Sequence, residues 1–148
     1  MVVLSDADRS AIEAIVANQA QAWNRGDAEG YGERALPDII FTNVIGGQYR
    51  GRDAVIALWR SIFKGIYKGN KLEQRVDVIT LVTPDVAIAE TVNKLTDYEH
   101  TPAGMPVINE ALWSRMQQVM VRKVDGWWVA SGHNVPVHSV AAGMLPRD

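Results

Sequence analysis

The 148-residue chain contains no cysteine, which excludes disulfides, thiolate nucleophiles and zinc-thiolate sites and leaves nothing that points to an oxidising compartment. It also lacks an excess of either charge: 15 basic and 17 acidic residues are interspersed, for a formal net charge of −2. That gives no electrostatic footprint for nucleic acid or for an anionic membrane. No apolar run is long enough to span a bilayer. The opening MVVLSDADRS reaches Asp6 and Asp8 almost at once, without the cationic start and apolar stretch of a secretion signal. There is no Gly-x-Gly-x-x-Gly after a strand and no phosphate loop, so no nicotinamide, flavin or nucleotide cofactor is expected. Without repeats, low-complexity tracts or linkers, the expectation is one cytoplasmic domain over 1–148, whose partners are small molecules or copies of itself.

Ser5, Asp6 and Asp8 form an N-cap with first-turn carboxylates. Ile12, Ile15, Val16, Gln19, Ala20 and Trp23 then recur at helical spacing, predicting a helix over about 6–24. Gly26 suits a left-handed cap, and Asp27 can cap a short second helix through about Ala35. Pro37-Asp38 opens the β-rich run IIFTNV, which Gly46-Gly47 turns back through QYR. Val55, Ile56, Trp59, Ile62, Phe63 and Ile66 mark an amphipathic third helix. From residue 71 the period becomes strand-like: KLEQRVDVITLV, DVAIAETVNKLTDY, ALWSRMQQVMVRKV and WWVASGHNVPV are separated by turn signals. Helices first and antiparallel strands after is the pattern of an α+β domain with helices on one face of a sheet.

If Asp125-Gly126 is a two-residue hairpin turn, Val124 pairs with Trp127 and the faces follow. One face carries Met116, Gln118, Met120 and Arg122 with Trp127, Val129, Ser131 and His133. The other carries Trp113, Arg115, Gln117, Val119 and Val121 with Trp128, Ala130, Gly132 and Asn134. A bulge, for which Gly132 is a natural place, would slip this register by one.

The segments AWNRGDAEGY (22–31), FTNVIGGQYRGRDAV (41–55), IFKGIYKGNKL (62–72) and VDGWWVASGHN (124–134), in this order and spacing, resemble the SgcJ/EcaC-type branch of the SnoaL-like, nuclear-transport-factor-2-like superfamily over nearly the whole chain. The resemblance implies a conical, strongly bent antiparallel sheet packed on three N-terminal helices, a cavity between sheet and helices, and a homodimer through the outer sheet face. It does not name a reaction, since the same cone serves isomerase, dehydratase, epoxide hydrolase, cyclase and purely binding roles. Members of the closest branch are found beside polyketide and enediyne pathways. By the same resemblance, the branch often has a carboxylate where Ile40 stands and a histidine where Trp59 stands. Both departures favour an apolar, aromatic-lined cavity.

The residues expected to line that cavity are Trp23, Tyr31, Phe41, Asn43, Trp59, Phe63, Met116, Gln118, Trp127 and His133, with Tyr31, Asn43 and Gln118 supplying polar contacts. His133 is the candidate acid or base; the plainer alternative is a half-buried histidine bonded to Gln118. Asn134 falls on the outer face. Asp38 reads as a turn carboxylate, the facing of Glu90 stays open, and Arg115 is placed for a salt bridge across a dimer. His133 and His138, five apart on a strand, face opposite sides, so no metal site is expected. Two functions stand side by side. One is an accessory or carrier protein that binds a small apolar, polyketide-like metabolite. The other is a cofactor-independent isomerase, dehydratase or cyclase in which His133 moves a proton.

Overall fold

The computed structural model describes residues 3–65, 69–101 and 104–147; Ile66, the last position of the third helical pattern, lies outside them. Helix α1 spans Asp6–Asn24, its N-terminus capped by Ser5, whose hydroxyl accepts from the Asp8 amide at 3.0 Å. It buries Ile12, Ile15, Val16, Gln19 and Ala22. Gly26, at φ +68°, reverses the chain, and Asp27 caps α2, Ala28–Tyr31. This helix is shorter than the sequence predicts because Ala35 is already in a strand: Val129 donates to the Arg34 carbonyl at 2.7 Å, and the Arg52 guanidinium holds the Ala35 carbonyl.

Strand β1 runs Ala35–Thr42, β2 Gln48–Arg50, then helix α3 Arg52–Lys64, followed by β3 Lys71–Thr83, β4 Val86–Thr96, β5 Val107–Ile108, β6 Ala111–Lys123 and β7 Gly126–Pro136. A 3₁₀ turn, Ser139–Met144, follows. The strands form one strongly curved, unclosed sheet in the order β2-β1-β7-β6-β4-β3, with β5 beside β6. Every pair is antiparallel except β1 with β7. Pro37 lies within β1 rather than before it, in the stretch between Ala35 and Ile40 where the ladder to β7 is irregular and no N–H is required of it. The helices pack on the concave face, α1 against β3 and α3 against β1.

The β6–β7 hairpin differs from the sequence expectation in two ways. Its turn is Val124-Asp125, with Lys123 opposite Gly126 and Arg122 opposite Trp127. A shift of two residues leaves the faces unchanged. Farther along, Met120 pairs with Val129 but Val119 pairs with Ser131, so Ala130 is a bulge. From there on, every β7 side chain lies on the face opposite to the one predicted.

Candidate functional site

Between the concave sheet face and helices α2 and α3 lies a cavity of about 270 Å³. One wall is a run of aromatic rings from three helices and a strand. Trp23 meets Tyr31 edge to face at 5.6 Å between ring centres, Tyr31 meets Trp59 at 4.2 Å, and Trp59 meets Phe41 at 5.7 Å. Such edge contacts fix each ring against its neighbours. Trp23 is further anchored by its indole N–H, which donates to Asn70 Oδ1 at 2.6 Å. Leu58 and Ile62 of α3, Leu72 of β3, Leu95 of β4 and Leu112 of β6 extend the apolar lining, and Val44, Ile45, Tyr49, Met105 and Trp113, the last expected on the outer face, complete it.

The polar lining is neutral. Gln74 on β3, Asn93 on β4 and Ser114 on β6 stand opposite one another in register, and Asn134 on β7 pairs with Met116, one inward position along from Ser114. Together they form a transverse stripe across the concave face, and all four line the cavity. Asn93 donates to Ser114 Oγ at 3.2 Å and accepts from Thr91 Oγ1 at 3.0 Å. Gln74 Oε1 and Asn134 Oδ1 are buried and accept no hydrogen bond. Among the described residues, the only ionisable side chains on the wall are the phenols of Tyr31 and Tyr49. Burial pushes the pKa of Tyr31 far above its ordinary value.

Of the residues expected here, Trp23, Tyr31, Phe41, Asn43 and Trp59 line the cavity. Asn43 is largely committed to its own loop, where its Oδ1 accepts from Gly47 at 2.8 Å and Ile45 at 3.2 Å. Phe63 stands behind the wall, edge-on to Trp23 at 4.9 Å. Met116 and Gln118 lie beneath it, beside a void of only about 10 Å³. Gln118 there forms a reciprocal amide pair with Gln19, at 2.8 and 3.0 Å. Trp127 is elsewhere: its indole donates to Asp8 Oδ1 at 3.1 Å and its ring carries the Arg122 guanidinium at 4.5 Å.

The assignment of His133 to the cavity face is corrected by the Ala130 bulge. His133 pairs with Gln117 and is exposed on the convex face, next to the Gln117–Glu90 hydrogen bond of 3.3 Å. Asn134, expected outside, lines the cavity instead. Ile40 also faces away, 42% exposed, while its neighbours Ile39 and Phe41 are buried; the residue type at 40 therefore says nothing about the pocket. Arg115 bonds within its own chain, to Asp77 at 3.2 Å and the Met144 carbonyl at 2.8 Å. His138 caps the 3₁₀ turn, accepting from Val140 at 3.2 Å. Sequence reasoning missed Gln74, Asn93 and Ser114. The signal was present, since a polar residue opposite a polar residue on alternating strands marks a shared face, but it required the pairing of β3, β4 and β6.

A model of the SnoaL-like domain matches residues 16–135. No curated protein matches the chain at a significant level. Among solved structures, a protein with a cystatin-like fold from Caulobacter vibrioides is 29% identical, with a TM-score of 0.77 over 95% of this chain and 96% of that one. A domain of unknown function with a cystatin-like fold from Nostoc punctiforme is 24% identical, with a TM-score of 0.79 over 95% and 84%. A putative scytalone dehydratase from Novosphingobium aromaticivorans shares the fold at 14% identity, with a TM-score of 0.73 over 89% and 85%. The family match runs from the second half of α1 through the cavity wall to the closing hairpin, and the chain belongs to the SnoaL-like domain family.

Proposed function

We propose that the chain binds a small, uncharged, largely apolar molecule and serves as an accessory or carrier protein for a flat metabolite of polyketide-like character. The observation that carries this reading is the neutrality of the cavity: among the described residues its wall holds no carboxylate, imidazole, amine or guanidinium. A ring about the size of benzene fills a void of ~150 Å³, so about 270 Å³ suits a molecule of one or two rings. An isomerase or dehydratase reading rested on His133, and that imidazole is on the opposite face of the sheet.

The same proposal includes a homodimer through the convex face, where Val78, Val82, Ile88, Val119 and Val121 remain half-buried or exposed, an apolar stretch suited to a self-complementary interface. Native mass spectrometry with a panel of one- and two-ring aromatics should show stoichiometric binding with the ligand recovered unchanged. Conversion of a bound ligand would overturn the binding-only reading. Sedimentation showing monomers at micromolar concentration would overturn the dimer.

A further inference from the structure

Gln74 is held in a way that fixes which end of its amide is left unpaired. Its Nε2 donates to Gln19 Oε1 at 2.7 Å, and Gln19 is locked in the reciprocal pair with Gln118. Turning Gln74 alone would set two carbonyl oxygens against each other. Turning all three amides together would restore the network, but Gln74 Nε2 is also 3.5 Å from the Val16 carbonyl, which can only accept. The network therefore leaves the Gln74 oxygen, not its nitrogen, without a donor; that oxygen is buried, and Gln74 is part of the cavity lining. An unpaired buried acceptor is costly. It is offset when a ligand supplies the missing donor.

Resting on the binding function proposed above, we infer that the cavity selects an uncharged one- or two-ring molecule that carries a hydroxyl or N–H group, donated to Gln74 Oε1 while its rings lie against Trp23, Tyr31 and Trp59. Anionic ligands are disfavoured by the same oxygen, which would face a carboxylate with no cation on the wall. Asn134 also lines the cavity, and its buried Oδ1 accepts no hydrogen bond.

The test uses 2-naphthol, its near-isostere 2-methylnaphthalene, and 2-naphthoate, with affinities measured by calorimetry on the wild type and on Gln74→Met. In the wild type, 2-naphthol and 2-methylnaphthalene should bind and 2-naphthoate should not. In Gln74→Met the ratio of naphthol to methylnaphthalene affinity should fall by about fivefold or more, the scale of one hydrogen bond to a buried acceptor. If neither neutral probe binds the wild type, the binding function itself falls, and this inference with it. If both bind and the ratio is unchanged in the variant, or if 2-naphthoate binds as tightly as 2-naphthol, only the donor assignment falls. A wild-type structure with 2-naphthol gives a check that does not depend on the variant folding. It should show the hydroxyl within hydrogen-bond distance of Gln74 Oε1, and a hydroxyl turned elsewhere overturns the inference.

Discussion

The ring of Phe41 lies directly on the bare backbone of Gly132, so close that a Cβ on that glycine would stand 2.8 Å from Cδ2 of the ring. The two residues are register partners on the parallel strands β1 and β7. Phe41 in turn touches Trp59 edge to face, and both rings line the cavity.

Gly132→Ala should therefore push Phe41 toward the cavity. The expected cost is about 1–3 kcal/mol in urea denaturation, the range for a methyl forced into a packed site, together with weaker binding of two-ring ligands. An unchanged midpoint would show that the ring has room to give way.

His133→Gln should leave stability within about 0.5 kcal/mol and ligand affinity unaltered, since the imidazole is exposed on the convex face. Loss of binding or of any turnover in this variant would return His133 to the cavity and contradict the placement of the bulge.

That bulge marks the limit of what could be read in advance. The helix spacings, the strand runs and the inward face of β6 follow from periodicity, and the wall residues Trp23, Tyr31, Phe41 and Trp59 follow from the family resemblance. The facing of His133 and Asn134 does not, because one unpaired residue, Ala130, inverts the parity of everything after it. Alanine carries no signal for a bulge, whereas Gly132, the residue with the sequence signature, is glycine for a different reason: Phe41 occupies the space of a side chain. Ile40 misleads for a related reason, since an apolar residue flanked by Ile39 and Phe41 gives no alternation from which its face could be read.

Gln118→Leu should destabilise the fold by about 1–3 kcal/mol, because Gln19 Nε2 loses its acceptor inside the core. Adding Gln19→Leu should cost less than the sum of the two single changes, as paired groups do not contribute additively. Strict additivity in thermal or urea unfolding would show that the two amides act independently.

Asp8 ties the start of α1 to the β6–β7 hairpin: it accepts from Arg122 Nη1 and Nη2, at 2.8 and 2.7 Å, and from the Trp127 indole. The Arg122 hydrogen bonds lower its pKa to about 2 from the ordinary 3.8. A depressed folded-state pKa contributes stability above the unfolded value and loses it as pH falls through the folded one. Asp8→Asn should therefore be less stable than wild type at pH 7, by roughly 0.5–1 kcal/mol. The gap should narrow below pH 4 and close near pH 2. A gap that persists undiminished into acid would mean the contribution is packing rather than charge.

Ligand affinity should be flat from about pH 5 to 9 for a probe that does not itself titrate, such as 2-methylnaphthalene. A binding step depends on pH only where a group titrates differently in the free and bound protein, and among the described residues the ionisable wall groups are phenols. Burial moves the Tyr31 phenol farther from this range. The imidazoles of His133 and His138 are outside the cavity, one on the convex face and one capping the 3₁₀ turn. Calorimetric titrations at half-unit pH steps would reveal any dependence. A sigmoid centred near the imidazole range would place a histidine at the ligand and reopen the acid–base reading, whereas a flat profile, combined with recovery of the unchanged probe, is what a neutral binding cavity requires.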